Sequence, residues 1–545
     1  MPTESSFPAI NIPAVDLWGL MFEEKRDNTF PADKVIYRDA VTHRYYSFES
    51  LQNAASAFGE GLRSTWGWQK GDMLTLFAPN SIDMPVLIYG TFFAGGTVSP
   101  SNPAYSVDEL SFQLKDNGTK AIATFRSLLP VVTAAAKKVN IPLDRIILLG
   151  DDRDPDGQFK HFDQIKAAPS MRRARLNPDE DLAFLVYSSG TTGLPKGVML
   201  THSNIVSNIL MLASSIGKSY SWQNDKFIGL LPFYHIYGLT TLIHQPLYRG
   251  IEMIAMERFD LEFFLRTVQQ HKVTFVYVAP PVLVHLANHS VVEKYDLSSL
   301  RMITSGAAPL TRELVDAVYK RINVKINQAY GLSETSPITH MQPWEDWYAT
   351  CGSVGKMMPN LTAKYVSPDG EEVPTGQNGE LCLKGPNVFK GYWNNPAATK
   401  DSFTSDGYFK TGDIGYQDKS DSFYITDRVK ELIKYKGFQV APAELEGLLF
   451  GHPNVNDVAV IGVNLEKEHT EVPRAYIVLR SGIERCDGSA QEIIDWLNSK
   501  VSNHKKLRGG IRFVDEIPKS AAGKILRRIL KEKVKEEQKA GMAKL

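Results

Sequence analysis

The sequence predicts an α/β protein, with a large N-terminal domain of two parallel-type α/β subdomains and a β-barrel-like subdomain, and a small α+β C-terminal domain. Three observations lead to this prediction. Apolar runs alternate with helix-like segments in two successive sets, and short segments punctuated by Gly, Pro, Asn and Asp follow them. The chain of 545 residues also exceeds what one hydrophobic core usually organises.

The first α/β set runs from Tyr37 to about Arg172. Strand-like runs such as 73–78 and helix-like segments such as 50–64 alternate in it, which favours parallel pairing. Gly59-Glu60-Gly61 resembles the start of a dinucleotide-binding fingerprint. Ser64 stands where the third glycine belongs, so we reject that interpretation.

The second set runs from Lys226 to Ile326. Its strand-like runs 273–278 and 300–304 end in the loops Ala279-Pro280-Pro281 and Ser305-Gly306-Ala307-Ala308-Pro309. Ligands of open parallel sheets bind beyond the carboxyl ends of the strands. A nucleotide is therefore expected at these loops.

The alternation of strand-like and helix-like segments ends after this second set, and two different patterns follow it. Short segments between Gly352 and Asp427 predict antiparallel strands in a barrel or a meander, and we place the domain boundary there, giving domains 1–427 and 428–545. The last stretch, 525–540, has apolar residues at helical spacing. A membrane-surface helix is one interpretation, but interspersed Lys and Glu favour a solvated helix packed on its own domain.

Composition narrows the function classes. Acidic and basic residues balance to a formal charge of +0, which argues against nucleic acid or an anionic membrane as the main partner. Cys351, Cys382 and Cys486 are too widely spaced for a disulfide framework or a zinc cluster, so a reducing compartment is expected.

Only the C-terminal end of the sequence resembles a targeting signal. The first residues lack the basic and apolar regions of a secretory signal, and the longest apolar stretch, 84–98, is broken by glycines and too short for a membrane helix. Ala543-Lys544-Leu545 differs from the peroxisomal address Ser-Lys-Leu by one small residue. This predicts recognition by the peroxisomal import receptor, with the cytoplasm as the alternative location.

The segment Tyr187-Ser188-Ser189-Gly190-Thr191-Thr192-Gly193-Leu194-Pro195-Lys196-Gly197 is the strongest candidate for a phosphate site. Glycines let backbone N–H groups approach an anion, hydroxyls donate hydrogen bonds, and Lys196 supplies a charge. It is not a Walker loop, since Lys196 follows proline and precedes glycine. A flexible linker is the plain alternative. The helix-like segment beginning near Thr201 is expected to add its positive end.

Further motifs follow in order: Gln328-Ala329-Tyr330-Gly331-Leu332-Ser333-Glu334, Thr411-Gly412-Asp413, Asp427-Arg428 continuing to Gln439, and Pro518-Lys519-Ser520-Ala521-Ala522-Gly523-Lys524. Together with the loop ending in Pro-Lys-Gly, they make the chain resemble the adenylate-forming (ANL) superfamily of acyl-CoA synthetases, beetle luciferases and peptide-synthetase adenylation domains. The segment 430–446 is most similar to 4-coumarate:CoA ligases and luciferases.

The resemblance implies roles for the nucleotide residues. The loop residues Ser188, Ser189, Gly190, Thr191, Thr192, Gly193 and Lys196 would bind phosphate. Gln328, Tyr330, Gly331 and Ser333 would line the adenine and α-phosphate site, Ser333 standing where the family usually has Thr. Asp413 and Arg428 would bind the ribose. Glu334 would hold Mg²⁺, with Thr191 as a second candidate ligand. A surface or helix-start carboxylate is the alternative for Glu334.

The resemblance also implies how the two reaction steps are divided. Lys524 would serve adenylation, and rotation about Lys430 would then present Lys434, Lys436, Gly437 and Gln439 for thioester formation. His235 would border the carboxylate and the thiol channel. The acyl pocket would be shaped by Tyr237, Thr241, Ala307 and Ser336, and Arg258 would meet the phosphates of coenzyme A. Alone, His235 could equally be a structural histidine and Lys524 a solvated one.

We therefore expect ATP-dependent ligation of a fatty or hydroxycinnamate-like acid to coenzyme A through an acyl-AMP, releasing AMP and pyrophosphate. Two alternatives share the adenylation step, namely a luciferase-like oxygenase and an adenylate-forming enzyme with another acceptor. A non-enzymatic adenylate sensor would be favoured by loss of Lys524 or Glu334, and both residues are present.

Overall fold

The computed structural model of the chain describes residues 2–24, 29–168, 172–188, 195–435, 438–465, 470–520 and 523–542. It has two large hydrophobic cores. Buried side chains of the first run from Leu17 to Phe423, and those of the second run from Ile433 to Val534. The chain passes from one core to the other between Phe423 and Ile433.

The strands are, in chain order, β1 (Thr3–Glu4), β2 (Val35–Asp39), β3 (Tyr45–Ser47), β4 (Met73–Phe77), β5 (Thr97–Ser101), β6 (Thr119–Thr124), β7 (Ile146–Leu148), β8 (Lys160–His161), β9 (Leu182–Ser188), β10 (Lys196–Thr201), β11 (Lys226–Gly229), β12 (Glu252–Ala255), β13 (Phe275–Val278), β14 (Met302–Ser305), β15 (Lys325–Gly331), β16 (Ile338–Met341), β17 (Lys356–Met357), β18 (Thr362–Val366), β19 (Gly379–Lys384), β20 (Gly391–Tyr392), β21 (Phe409–Gln417), β22 (Phe423–Arg428), β23 (Ile433–Tyr435), β24 (Phe438–Val440), β25 (Val455–Leu465), β26 (Thr470–Leu479) and β27 (Ile511–Phe513).

The α-helices are α1 (Phe48–Trp66), α2 (Met84–Phe93), α3 (Val107–Asp116), α4 (Leu129–Lys138), α5 (Phe162–Ile165), α6 (His202–Ile216), α7 (Ile236–Gly238), α8 (Gln245–Arg249), α9 (Leu261–His271), α10 (Pro280–Asn288), α11 (Arg312–Ile322), α12 (Pro396–Asp401), α13 (Pro442–Phe450), α14 (Asp487–Asn498) and α15 (Arg527–Met542). Among the described residues, none of the helices combines the length and the apolar character that crossing a bilayer demands.

The first sheet has the order β20-β10-β9-β5-β4-β6-β7-β8. The strands from β9 to β8 run parallel, as alternation with helices predicted, while β10 and β20 are antiparallel additions at one edge. Gly59 lies inside α1, where a Cβ would come within 2.4 Å of the Gly90 carbonyl oxygen of α2. This glycine serves helix packing, which agrees with rejecting the dinucleotide fingerprint.

The second sheet has the order β17-β16-β15-β14-β13-β11-β12-β2-β3, and its strands from β15 to β2 are parallel. We expected the strand at Tyr37 to begin the first α/β set, and this expectation is wrong. Tyr37 pairs with Met253 of β12 and so belongs to the second sheet. The carboxyl ends of β13, β14 and β15 lie side by side, so the loops that follow them line one edge.

The remaining strands form an antiparallel sheet in the order β1-β18-β19-β21-β22, a two-stranded antiparallel pair of β23 and β24, and a C-terminal sheet in the order β25-β26-β27. In the first of these, β18, β19, β21 and β22 pair with one another in chain order, as a meander does. Helix α15 buries Leu530 and Val534 in the C-terminal core. It is a helix packed on its own domain, as the charge pattern favoured.

Candidate active site

The predicted phosphate loop lies at the tip of a β-hairpin. β9 ends at Ser188 and β10 begins at Lys196, and these two residues face each other across the antiparallel pair. The hairpin thus holds a hydroxyl and an ammonium group at the two ends of the loop. The other phosphate-binding candidates lie outside the described residues: Ser189, Gly190, Thr191, Thr192 and Gly193.

The expectation that a helix adds its positive end to this loop is wrong. β10 returns along β9 and brings Thr201 opposite Leu182, and α6 begins there with Thr201 as its N-cap. The His202 N–H donates to the Asp181 carbonyl oxygen at 3.3 Å. The length of β9, about 20 Å at about 3.3 Å per residue, separates this helix start from the loop.

Asp116 is linked by hydrogen bonds to both strands of the hairpin, next to the loop. Its carboxylate accepts a hydrogen bond from the Tyr187 hydroxyl, and its carbonyl oxygen accepts one from Trp393 Nε1 at 2.9 Å. The Trp393 N–H in turn donates to the Gly197 carbonyl oxygen at 2.8 Å. Both strands that carry the loop are therefore bound to the same aspartate, one directly and one through Trp393.

Glu334 and Lys196 both contact the side chain of Tyr392. Glu334 lies in the single 3₁₀ turn Ser333–Thr335, and its Oε1 accepts a hydrogen bond from the Tyr392 hydroxyl at 3.0 Å. Lys196 Nζ lies 4.8 Å from the centroid of the same ring. Burial raises the pKa of the Glu334 carboxyl, so a neighbouring cation would favour its ionised form.

Tyr330, Asp413 and Arg428 form the group assigned to the nucleoside. The Tyr330 hydroxyl donates to Asp413 Oδ2 at 2.6 Å, and Arg428 Nε lies 2.9 Å from Asp413 Oδ1. β21 and β22 place Asp413 opposite Arg428 in register. The Asp413 charge raises the pKa of Arg428, so the guanidinium stays charged.

The backbone around Tyr330 is tightly packed. Gly331 ends β15, and a Cβ on it would come within 2.1 Å of the Pro337 carbonyl oxygen. Gln328 donates its backbone N–H to Gln342 Oε1 at 2.7 Å, while its buried side-chain Nε2 has no hydrogen-bond partner in the described part of the chain. Ser333 is half-buried beside Glu334. Gln328 therefore keeps a donor for a ligand.

Lys524 is presented to the N-terminal domain by a short turn. Ser520 N–H donates to the Lys524 carbonyl oxygen at 2.8 Å, and Lys524 N–H donates to Ser520 Oγ at 3.2 Å. Gly523 has a φ of 81°, and a Cβ on it would lie 2.9 Å from Cβ of Ala279, in the loop after β13. A side chain at position 523 would strain the turn and push it away from that loop.

The Lys524 ammonium interacts electrostatically with the nucleoside group. Burial and the charge of Arg428 lower its pKa to about 8, against the opposing charges of Glu431 and Asp413. Burial together with the charge of Lys524 lowers the pKa of His235 to about 4. At neutral pH Lys524 is therefore mostly charged and His235 is neutral.

Of the acyl-pocket candidates, Tyr237 and Ala307 lie where β14 ends. The Tyr237 hydroxyl donates to the Thr304 carbonyl oxygen at 3.3 Å, and its ring lies against Gly306, the neighbour of Ala307. The Thr241 hydroxyl donates to the Tyr237 carbonyl oxygen at 2.6 Å. Ser336 is buried, with its hydroxyl donating to the Asn387 carbonyl oxygen at 2.9 Å.

Several candidates are not gathered at this edge. Lys430 is exposed in the turn after β22, and Arg258 is exposed after β12. Lys434 is exposed on β23, where its backbone N–H donates to Glu471 Oε2 at 2.9 Å. Gln439 faces Lys434 across the β23–β24 pair. Lys436 and Gly437 lie outside the described residues.

Sequence reasoning missed Tyr392 and Asp116. Each contacts residues far away in the chain, since Tyr392 meets Glu334 at a separation of 58 residues and Asp116 meets Trp393 at a separation of 277. Tyr392 stands in the segment that predicted short antiparallel strands, and nothing in that pattern assigned a role to this tyrosine. No spacing pattern within the sequence could have joined these partners.

Comparison with known proteins identifies the same two units. The family model described as "AMP-binding enzyme" matches residues 23–393, and the model "AMP-binding enzyme C-terminal domain" matches residues 444–524. The chain is 37% identical over 548 residues to the probable 4-coumarate–CoA ligase 1 of Dictyostelium discoideum, covering 97% of both chains. It is 36% identical to the 4-coumarate–CoA ligase 2 of Petroselinum crispum, covering 92% of this chain and 91% of that relative.

A solved structure adds the fold. The ATP-bound MatB of Rhodopseudomonas palustris aligns with a TM-score of 0.84 and 29% identity, over 95% of this chain and 98% of that one. The predicted resemblance to adenylate-forming enzymes is confirmed by these matches. The chain thus belongs to the AMP-binding enzyme family, as an acid–thiol ligase that joins a carboxylic acid to coenzyme A through an acyl-adenylate in an ATP-dependent reaction.

Proposed function

We propose that the chain runs both half-reactions at one site, with a domain of residues 1–427 that binds ATP and the acid and a domain of residues 428–545 that supplies Lys524. The observation behind this proposal is the position of Lys524. It lies within electrostatic reach of Asp413 and Arg428, although its turn leads into α15 of the other hydrophobic core. A lysine carried by a second body can act in one step and be withdrawn in the next.

In the first step, a carboxylate oxygen of the acid attacks the α-phosphorus of ATP, and pyrophosphate leaves with the electron pair of the broken P–O bond. Two like charges about 4 Å apart repel by about 1 kcal/mol in water and about 4 kcal/mol in a partly dry site. We assign Lys524 and Lys196 to opposing this repulsion. Ser188, Ser333 and the loop residues 189–193 donate hydrogen bonds to phosphate oxygens.

The nucleoside is assigned to the Asp413 group. Asp413 Oδ2 accepts a hydrogen bond from Tyr330 and Oδ1 forms an ion pair with Arg428, and each oxygen keeps capacity for a ribose hydroxyl. Gly331 and the ring of Tyr330 form the face for adenine. Gln328 supplies the buried donor that lacks a protein partner in the described ranges.

Glu334 is assigned to Mg²⁺. Within the described residues no cluster of three or more His, Cys, Asp or Glu side chains could hold a metal ion. A single buried carboxylate nevertheless fits Mg²⁺, because this ion is commonly held by one or two carboxylates together with phosphate oxygens and water. Thr191 is the second ligand candidate. Bound there, Mg²⁺ would neutralise charge on the phosphates.

In the second step, the thiol sulfur of coenzyme A attacks the acyl carbon and AMP leaves. We propose that the C-terminal domain turns about Lys430 for this step, withdrawing Lys524 and presenting the β23–β24 hairpin. That hairpin carries Lys434 and Gln439 with Lys436 and Gly437 between them. His235 borders the thiol path as a neutral side chain, and Arg258 is exposed for the phosphates of coenzyme A.

The acid is proposed to have an apolar tail, hydroxycinnamate-like or fatty. The hydroxyls of Tyr237, Thr241 and Ser336 are all donated to backbone carbonyl oxygens. A second carboxylate on the substrate would therefore lose hydration without gaining a donor from these groups. The relatives named 4-coumarate–CoA ligases support the aromatic member of this class.

Purified protein should be given ATP, Mg²⁺, coenzyme A and a panel of aromatic, fatty and dicarboxylic acids. AMP and pyrophosphate release with an aromatic or fatty acid is the expected result, and removal of Mg²⁺ with EDTA should abolish it. Preference for a dicarboxylic acid would contradict the proposed pocket. Light or CO₂ from an added luciferin would instead favour the oxygenase alternative.

Peroxisomal location is proposed from Ala543-Lys544-Leu545, which lies outside the described residues. The tripeptide keeps the small–basic–leucine pattern of Ser-Lys-Leu. A fluorescent protein ending in residues 531–545 should collect in peroxisomes, and the same fusion with Leu545→Asp should remain cytoplasmic. Equal cytoplasmic staining of both fusions would contradict the proposal.

A further inference from the structure

Tyr392 contacts two charged groups of the active site with different parts of its side chain. Its hydroxyl donates to Glu334 Oε1 at 3.0 Å, and the face of its ring lies 4.8 Å from Lys196 Nζ. In the part of the chain that the structure describes, no carboxylate lies within ion-pair distance of Lys196. Tyr392 therefore gives each of the two side chains a contact of its own, the hydroxyl for Glu334 and the ring for Lys196.

The hydroxyl contact is favourable for a carboxylate, and the ring contact is favourable for an ammonium group. A hydroxyl that donates to a carboxyl favours its ionised form, and Glu334 needs this help because burial favours the neutral acid. Burial and the Glu334 charge also raise the pKa of Tyr392, so its hydroxyl remains a donor. The negative face of an aromatic ring attracts an ammonium group without removing its charge.

Tyr392 is itself held in place from several sides. It pairs with Val198 of β10, and its N–H donates to Thr399 Oγ1 at 2.9 Å. Its ring packs edge-on against Phe389, with centroids 4.9 Å apart. The Phe389 N–H donates to the Glu334 carbonyl oxygen at 2.8 Å. The segment 389–392 thus contacts both β10, the strand that follows the phosphate loop, and the backbone of the turn that contains Glu334.

We propose that Tyr392 is a positioning residue that holds the Lys196 and Glu334 side chains in separate positions, so that the lysine is available to phosphate and the glutamate to Mg²⁺. This inference deepens the proposed function and rests on the roles assigned there to Lys196 and Glu334. Tyr392 takes no part in bond making, and its effect should appear in binding before it appears in chemistry.

The test is calorimetric binding of ATP without acid, measured at neutral pH over a range of Mg²⁺ concentrations. Tyr392→Phe keeps the ring and removes the hydroxyl. The Mg²⁺ concentration for half-maximal binding should rise about tenfold, the weight of one hydrogen bond to a charged group.

Tyr392→Leu removes the ring as well. In addition to the Mg²⁺ effect, ATP should bind about 2–5-fold more weakly at saturating Mg²⁺, the range expected for an exposed cation–π contact. A uniform loss of binding at every Mg²⁺ concentration, or an unchanged Mg²⁺ requirement in Tyr392→Phe, would overturn the inference.

Tyr408 provides a matched control on the antiparallel sheet. Its ring lies 4.8 Å from Lys364 Nζ, and its hydroxyl accepts a hydrogen bond from Thr362 at 3.2 Å. Tyr408→Phe and Tyr408→Leu therefore remove the same kinds of contact away from the proposed site. They should leave the Mg²⁺ requirement of ATP binding within about twofold of the parent. A tenfold change in either control would overturn the inference.

Glu334→Gln separates this inference from the proposed magnesium role. If Glu334→Gln leaves the Mg²⁺ requirement unchanged, the magnesium role fails and the inference fails with it. If Glu334→Gln shifts the requirement and Tyr392→Phe does not, only the role of Tyr392 is overturned. Combined with Glu334→Gln, Tyr392→Phe should add less than about twofold, because the acceptor of its hydrogen bond has been neutralised.

Discussion

Replacing Lys524 by alanine should separate the two half-reactions. The lysine is buried beside Arg428 with a pKa of about 8, so at pH 7 about nine-tenths of the molecules carry its charge. One charge-assisted hydrogen bond contributes on the order of 1.5–3 kcal/mol, and one preorganised donor to a developing anion about 10²–10³ in rate. We therefore expect adenylation to slow by about 10²-fold or more, while thioester formation from supplied acyl-AMP changes less than about threefold.

The assay is pyrophosphate exchange for the first half-reaction and acyl-CoA formation from synthetic acyl-AMP for the second. Lys519→Ala is the matched control, because Lys519 lies on the same turn but its Nζ pairs with Asp457 at 2.7 Å within the C-terminal domain. Adenylation by the parent should also fall above about pH 8 at low ATP, as Lys524 loses its proton. Equal loss of both half-reactions in Lys524→Ala would refute the division of labour.

Three further changes test other parts of the site. Asp413→Asn removes the carboxylate that pairs with the half-buried Arg428 and is assigned to the ribose, so AMP should bind at least about tenfold more weakly by calorimetry; unchanged affinity would contradict the ribose assignment. Gly331→Ala would place a Cβ 2.1 Å from the Pro337 carbonyl oxygen, so adenylation should be lost, while the C-terminal core should resist proteolysis as in the parent. Normal adenylation by this variant would exclude the close packing described around Gly331. Burial raises the pKa of Asp427 to about 7, so the folded state holds this proton more tightly than the unfolded state does. The free energy of unfolding should therefore fall as pH rises from about 4 to about 7, by at most about 4 kcal/mol. Asp427→Asn should flatten that fall in urea titrations at pH 5 and pH 7.5, and parallel curves would contradict it.

Much of the fold could be predicted because the local signals were strong. The apolar run from Met73 became β4, and the segment from Val107 to Asp116 became α3 with a capping box at Ser106. Sheet membership was harder to predict. β2 pairs with β12, more than two hundred residues later, and no local pattern specifies such a partner. Predicting a helix start at Thr201 was correct, but its direction depended on the antiparallel return of β10.

The candidate site divides in the same way. Motif residues such as Tyr330 and Asp413 could be named from the sequence, and they lie in contact. Residues whose importance arises from tertiary contacts could not be named, as Tyr392 and Asp116 illustrate. The polar groups that the motifs contain are chemically specific, whereas the side chains that hold them in place are ordinary residues in the sequence.

The origin of an oxygen atom in AMP tests the central claim most directly. An acid labelled with ¹⁸O in its carboxylate should be converted to its thioester with ATP, Mg²⁺ and coenzyme A, and the products analysed by mass spectrometry. Attack on the α-phosphorus followed by thiolysis predicts one ¹⁸O atom in AMP and none in pyrophosphate. Label in phosphate together with ADP would show attack at the γ-phosphorus and would contradict the acyl-adenylate account.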